Sequence, residues 1–183
     1  MVGCGIPQDT TVDATGVSLG IVAARWHADL VDQMVERALL AAKSCGVTET
    51  IVLRVAGSVE LPVVAQALAR QCAAVVAFGV VVRGATAHFD YVCRSVTDGL
   101  TRVSLDEATP VGHGVLTVET LGQASDRAGL PDSAEDKGWS ATVAVLESAV
   151  ALRGLGCDGR CDCPGDRGLA GGGNVTAGRR GRW

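Results

Sequence analysis

The stretch GVVVRGATAHFDYV, residues 79–92, joins an apolar run to a glycine-containing loop and then to a segment with helical spacing. The apolar run extends from Ala73 to Val82, which suits a buried strand and is too short for the roughly 20 residues of a membrane span. A helix is predicted from about Asp90 to Asp106. A buried strand that passes through a short loop into a helix is the repeating unit of a parallel α/β sheet, so this stretch predicts the fold class.

Other apolar segments and helical patterns alternate with this unit along the chain. The predicted strands are 17–24, 50–57, 73–82 and 110–118. Glycines are expected to shorten the last of these. Gly46 and Pro62 mark helix ends, and Ser133 with Asp136 forms a capping-box pattern that opens the last helix. Strict alternation predicts an α/β fold: a three-layer α/β/α sandwich with a four-stranded parallel, flavodoxin-like sheet.

Composition argues against two classes of protein. Of the 183 residues, 48% are hydrophobic, which is enough apolar surface for one folded domain. The net charge is −4 without a broad basic region, and this disfavours nucleic-acid binding. The N-terminus lacks the basic start and apolar core of a signal peptide. We expect a cytoplasmic protein that binds neither nucleic acid nor a membrane.

Three regions are predicted along the chain. Residues 1–15 form a flexible arm, residues 16–155 the folded domain, and residues 156–183 a disordered tail rich in Gly, Arg and Asp. A zinc site needs four ligands, whereas the tail has no histidine and only three cysteines, Cys157, Cys161 and Cys163. No metal site is therefore expected.

Functional side chains should collect where the predicted strands end. Ligands of open parallel sheets bind beyond the carboxyl ends of the strands. This rule selects the segments 25–27, 57–60, 83–88 and 117–119. A histidine near neutral pH suits proton transfer, but position alone does not choose among His27, His88 and His113.

Several residues at these strand ends admit two interpretations. Trp26 is either a ring that stacks on a planar heterocycle or a tryptophan at the edge of the core. Glu60 is either a ligand for hydroxyl groups or a carboxylate favoured by the dipole of a helix N-terminus. Residues 83–86 form a weak anion cradle, because the glycine and threonine suit a phosphate but the Walker A pattern is absent.

Four further segments match the pattern of one protein family, which the opening stretch also matches, and all five occur in that family's order. The four are AARWHADLVDQMVERA, RVAGSVELPVVAQALA, GVLTVETLGQASDRAGL and SAEDKGWSATVA. With GVVVRGATAHFDYV they cover roughly residues 15–155 without large gaps. The chain thereby resembles the lumazine synthase family, the penultimate enzymes of riboflavin biosynthesis. Matched segments in the right order are far more specific than any one motif.

The resemblance implies a condensation and an assembly. In this reaction 5-amino-6-(D-ribitylamino)uracil and 3,4-dihydroxy-2-butanone 4-phosphate give 6,7-dimethyl-8-ribityllumazine, phosphate and water. Family enzymes use no metal or organic cofactor, and their sites lie between neighbouring subunits of a pentamer, which some members build into a closed shell. For this chain the expectation is a pentamer, with riboflavin synthase as a candidate partner.

The resemblance also assigns residues. Contacts to the ribitylaminouracil are assigned to Trp26, Ser58, Val59, Glu60, Val80, Val81, Val82, His113 and Lys137. The phosphate is assigned to Ala85, Thr86 and Arg127, with Arg127 reaching it from the adjacent subunit, although a solvated helix residue is the alternative there. His88 is assigned the proton transfer.

Two departures from the family pattern stand out. His113 occupies a position where the family usually has Asn or Phe, so it adds a titrating group or alters ribityl contacts. The tail has no family counterpart. Two other functions would retain the same cradle with little or no turnover, namely a flavin- or lumazine-binding homologue and a scaffold. The combination of Trp26, Glu60, His88 and Arg127 argues against a scaffold, which has no use for all four.

Overall fold

The computed structural model describes residues 11–156, which contain a four-stranded parallel sheet with helices on both faces. The strands are β1 Ser18–Ala24, β2 Glu49–Val55, β3 Ala74–Val82 and β4 Val111–Val118, in the order β2-β1-β3-β4. The helices are α1 Ala28–Ser44, α2 Leu61–Ala69, α3 His88–Asp106, α4 Leu121–Ser125 and α5 Lys137–Gly154. A 3-10 turn, Ser58–Glu60, precedes α2. The predicted fold class is confirmed.

The hydrophobic core is divided by the sheet into two layers. One layer packs Met34 of α1 and Leu146 of α5 against Phe78 of β3. The other packs Leu61 of α2 and Leu100 of α3 against the opposite face. The first seven residues of β3 are buried, as expected for a central strand that is covered on both sides.

Helix ends follow the sequence signals with one exception. Gly46, directly after the end of α1, has a φ of 79°, and Pro62 lies in the first turn of α2. The predicted capping box at Ser133 is wrong. Asp136 caps α5 instead, because it directly precedes the helix and its Oδ1 accepts the N–H of Trp139 at 2.9 Å. Ser133 Oγ accepts the N–H of Leu130 and closes a turn.

The fourth strand is not shortened by its glycines. β4 pairs with β3 through Val82↔Val118, and Gly112 and Gly114 both stay in the ladder. A Cβ at Gly114 would lie against the ring of Phe78, so this glycine makes room for the largest fully buried side chain. Helix α3 also begins at His88, ahead of the predicted start at Asp90, which places His88 in its first turn.

The packed chain begins ahead of the predicted boundary at residue 16. Ala14 is fully buried, and its N–H donates to the carbonyl of Cys45 at 2.8 Å. Residues 1–10 of the predicted arm and residues 157–183 of the predicted tail, with its cysteines, lie outside the described residues. Across residues 11–156, no helix combines the length and the apolar character needed to cross a membrane.

Candidate active site

A cleft of about 350 Å³ lies at the carboxyl ends of β1 and β3, as the rule for parallel sheets predicts. Most of the predicted site residues line it, and we call them the strand-end set: Trp26, Ser58, Val59, Glu60, Val80, Val81, Val82, Thr86 and His88. The cleft is also lined by His27, which the sequence did not rank, by Gly84 of the predicted anion cradle, and by Phe89 and Val92, which were not predicted. Their adjacency to assigned residues was the available signal.

A second and larger cleft, of about 1040 Å³, is found at the amino end of β4. It lies between the C-terminal ends of α3 and α5 and is lined by exposed apolar residues such as Leu105 and Leu155. None of the predicted site residues lines it. The smaller cleft is the candidate active site, because it joins an aromatic ring, a carboxylate, an imidazole and a helix N-terminus.

The end of β1 presents Trp26 to this cleft. The N–H of Arg25 donates to the carbonyl of Val55, and the next residues leave the sheet. His27 then takes the left-handed conformation, with φ 54° and ψ 50°, before α1 begins. Such a backbone costs a non-glycine residue roughly 1–2 kcal/mol, which is typical of functional sites. Trp26 is 69% exposed, and this contradicts the alternative of a tryptophan at the core edge.

The segment after β2 is held against β3 by a close approach. Glu60 Oε2 accepts the N–H of Gly57 at 2.8 Å, so the carboxylate closes its own turn at the cleft. Ser58 is buried, and a Cβ at Gly79 would lie 2.7 Å from Ser58 Oγ. Gly79 therefore lets the turn Ser58–Glu60 pack directly on the strand.

The last residues of β3 have one unpaired backbone edge. Pairing of β1 with β3 ends at Ala23↔Phe78, whereas pairing of β3 with β4 continues to Val82↔Val118. The β1-facing N–H and C=O groups beyond Phe78 therefore extend past the neighbouring strand into the cleft. Such groups are suited to the donor and acceptor pattern of a heterocyclic ring.

The loop after β3 leads into an uncapped helix. Ala87 is the N-cap residue of α3, and its side chain makes no capping hydrogen bond. The N–H groups of His88 and Phe89 at the start of this helix and the Thr86 hydroxyl suit an anion. Ala85 lies in the same loop but does not line the cleft. Arg83 is occupied, because it pairs with Asp90 at 3.1 Å and with Glu119 at 2.8 Å.

The remaining predicted residues do not line the cleft of their own chain. We call them the edge set: His113, Arg127 and Lys137. His113 lies on the edge strand β4, where its Nε2 is 3.2 Å from Thr97 Oγ1. Arg127 lies between α4 and α5, and its Nη1 donates to the carbonyl of Gln123 at 2.8 Å. The N–H of Lys137 donates to the carbonyl of Arg127 at 2.9 Å, so these two residues are neighbours.

Contacts with α1 hold the chain segment that carries Arg127 and Lys137. Arg37 Nε donates to Asp136 Oδ2 at 2.5 Å, and Gln33 Nε2 donates to the carbonyl of Gly129 at 2.7 Å. An antiparallel bridge pairs Ala128 with Asp136. The segment is therefore ordered in a single chain, although it lies outside that chain's cleft.

The pKa of His113 is lowered from its ordinary value. Desolvation opposes the charged imidazolium, and the positive charge of Lys137 acts in the same direction. Residues 11–156 contain no group of three or more His, Cys, Asp or Glu side chains arranged to hold a metal ion.

Comparison with known proteins decides the family. The family model described as 6,7-dimethyl-8-ribityllumazine synthase matches residues 16–153. The chain belongs to the 6,7-dimethyl-8-ribityllumazine synthase family. This confirms the family predicted from the five ordered segments.

Similar proteins carry the same name. The enzyme of Salinispora arenicola is 71% identical over 155 residues, which are 85% of this chain and 93% of that protein. The enzyme of Thermobifida fusca is 63% identical over 85% of this chain and 91% of its own length. The enzyme of Saccharopolyspora erythraea is 61% identical over 85% and 94%, respectively. The matches thus span nearly the whole length of these lumazine synthases.

Proposed function

We propose that this protein condenses 5-amino-6-(D-ribitylamino)uracil with 3,4-dihydroxy-2-butanone 4-phosphate to form 6,7-dimethyl-8-ribityllumazine, phosphate and water. The observation that carries the proposal is the cleft of the strand-end set, in which an exposed indole, a free strand edge and an uncapped helix meet around His88. Together these groups suit a planar ring at one end and a phosphate at the other.

The ribitylaminouracil is proposed to bind on the β1 side of the cleft. Trp26 stacks on the ring, and the backbone groups of residues 80–82 meet its polar edge where β3 extends past β1. Ser58, Val59 and Glu60 hold the ribityl chain, whose hydroxyl groups need both donors and acceptors. Gly79 supports this arrangement by letting the turn of residues 58–60 lie against the strand.

The phosphate is proposed to bind at the start of α3. Ala85 and Thr86 offer loop and hydroxyl contacts, and the helix N-terminus favours negative charge. Arg83 is already paired with two carboxylates, so the charge of the phosphate requires another cation. Arg127 of a neighbouring copy suits that role, because a guanidinium gives paired, charge-assisted hydrogen bonds to phosphate.

His88 is proposed to transfer protons during the condensation. The amine attacks the ketone to form an imine and a first water, and phosphate leaves by elimination. The ribityl-bearing nitrogen then attacks the remaining carbonyl carbon and closes the ring with loss of a second water. Each step moves a proton, and an imidazole is suited to this near neutral pH. No metal or organic cofactor takes part in the proposed reaction, and holding both substrates in one cleft supplies much of the acceleration.

The edge set is proposed to complete the cleft of the next copy. Arg127 and Lys137 lie together outside their own cleft, which suits a head-to-tail contact that closes into a ring. We propose a pentamer in the cytoplasm, where the free thiols of Cys45, Cys72 and Cys93 would persist. Lys137 and His113 would then approach the bound substrate across the interface, and riboflavin synthase is the proposed partner.

The proposal is tested by mixing both substrates with the purified protein and following the lumazine by its absorbance and fluorescence. Formation of lumazine with release of phosphate is expected. Tight binding of a lumazine or flavin without turnover would indicate the binding homologue, and neither binding nor turnover would indicate a scaffold. Light scattering measures the size of the assembly.

The shared site is tested by co-expressing two strongly impaired variants, His88→Ala and Arg127→Ala. If each site uses His88 from one copy and Arg127 from the next, random mixing leaves about a quarter of the sites intact in a ring. Each variant alone serves as the control. Mixed assemblies as inactive as the single variants would contradict a site built from two copies.

A further inference from the structure

The guanidinium of Arg83 contacts side chains from two different elements. It lies 4.1 Å from the ring centroid of Phe89, in a cation–π arrangement. Its Nη2 donates to Asp90 Oδ1 at 3.1 Å, and its Nε lies 2.8 Å from Glu119 Oε2. Phe89 and Asp90 belong to the first turn of α3, whereas Glu119 directly follows β4.

These contacts hold the loop of residues 84–87 from both ends. The N–H of Arg83 donates to the carbonyl of Val118 at 2.9 Å, which anchors the start of the loop to β4. The side chain of Arg83 then reaches past the loop to the helix turn that begins with His88. The side chain of Arg83 therefore links the start of the loop to the helix turn that carries His88.

Arg83 is already committed to these contacts. Both carboxylates raise the pKa of the guanidinium, chiefly through the hydrogen bond to Glu119 and then through that to Asp90. A cation paired with two anions has little charge to offer a phosphate. Arg83 thus neutralises carboxylates beside the loop and fixes its shape, rather than binding the anion itself.

We propose that Arg83 is a positioning residue that orients the phosphate loop and His88 through Phe89 and Asp90. This inference rests on the function proposed for the loop. Arginine suits this role because its planar guanidinium stacks on a ring while its fixed fork donates to two carboxylates, whereas the ammonium of lysine has three donors but no planar face. Exposed ion pairs contribute little to stability, so the effect is expected in substrate binding rather than in folding.

The test compares Arg83→Lys with Arg70→Lys. Arg70 is the matched control, because its exposed guanidinium also forms an ion pair, with Glu107, but at the end of α2 and away from the cleft. For Arg83→Lys we expect the KM of the phosphorylated substrate to rise about tenfold and the KM of the ribitylaminouracil to stay within about twofold. The melting temperature should change no more than in Arg70→Lys.

A second variant keeps the inference falsifiable if Arg83→Lys folds poorly. Asp90→Asn keeps Arg83 stacked on Phe89 but weakens its ion pair with residue 90. A smaller rise in the KM of the phosphorylated substrate is therefore expected. If both KM values rise equally, or neither rises beyond the effect of Arg70→Lys, the positioning role is wrong.

Calorimetric titration with inorganic phosphate separates this inference from the proposed function. Arg83→Lys should bind phosphate several-fold more weakly than the wild-type protein. If the wild-type protein forms no lumazine, the proposed function fails, and the phosphate titration alone then tests whether Arg83 positions the loop. Unchanged phosphate affinity in Arg83→Lys would overturn the inference whether or not the wild-type protein turns over.

Discussion

The strand-end set and the edge set are positioned by different parts of the fold. The strand-end set lies where parallel strands end, so the topology of the sheet gathers it in one cleft. Arg127 and Lys137 instead lie at the connection between α4 and α5, held to α1 through Arg37 and Gln33. The comparison shows that the sheet gathers the strand-end set by itself, while the residues proposed to complete the site lie outside this cleft.

The two sets also differ in how they are supported. Val80 is buried between neighbouring elements, and Ser58 is buried against the strand at Gly79. Lys137 is half-buried, and Asp136 both caps α5 and pairs with Arg37. Arg127 is proposed to bind the phosphate, whereas the turn of residues 58–60 is proposed to bind the ribityl chain. Substitutions at these two places should therefore affect different substrates.

The largest effect is expected from Arg127→Ala in the edge set. Loss of two charge-assisted hydrogen bonds of roughly 2 kcal/mol each should lower kcat/KM for the phosphorylated substrate by about 10³-fold. Steady-state kinetics measures this loss, and fluorescence titration should show unchanged affinity for the ribitylaminouracil. Arg127→Lys should recover only part of the activity, because it cannot form paired bonds. Wild-type rates in Arg127→Ala would refute the assignment.

His88→Ala in the strand-end set should have the next largest effect. Removing the proton-transfer residue should lower kcat by about 10²-fold while changing both KM values little. This differs from Arg127→Ala, for which the loss is tied to the phosphate. Single-turnover measurements separate the chemical step from product release. A purely KM-based effect would show that His88 binds a substrate and does not transfer protons.

Gly79→Ala should disturb the strand-end set alone. The added methyl would lie 2.7 Å from Ser58 Oγ and displace the turn of residues 58–60. We expect the KM of the ribitylaminouracil to rise about tenfold, with the phosphate affinity retained. Gly154→Ala is the control, since no atom lies within 4 Å of the added methyl there. The same KM of the ribitylaminouracil in Gly79→Ala and Gly154→Ala would contradict the proposed role of Gly79.

The smallest effect concerns the pH dependence of stability at His113. The pKa of this imidazole is lowered in the folded protein from the ordinary value of 6.5, so the unfolded chain binds the proton more readily. The free energy of unfolding should be unaffected by this group above that value and should fall as the pH drops below it. His113→Asn should remove this part of the pH dependence in denaturant titrations. Identical slopes in the two proteins would contradict the lowered pKa.

The match between sequence patterns and structure is uneven for physical reasons. Strand–helix alternation and helix ends such as Gly46 are local or periodic signals, so they predicted the sheet and most elements. The cap at Asp136 was assigned to Ser133, since both have capping side chains and only the path of the backbone chooses between them. The full length of β4 was missed because Gly112 and Gly114 weaken a strand in isolation yet fit beside β3.

The amino-acid sequence by itself determined the α/β fold and the family and supplied the candidate site residues, because periodicity and ordered motifs are properties of the chain. Only the tertiary structure decided that β3 extends past β1, and that Arg83 pairs with Asp90 and Glu119. These features depend on strand register and on contacts between residues far apart in sequence, such as Arg37 with Asp136. No local pattern encodes such distances, since they arise only when the helices and strands pack together.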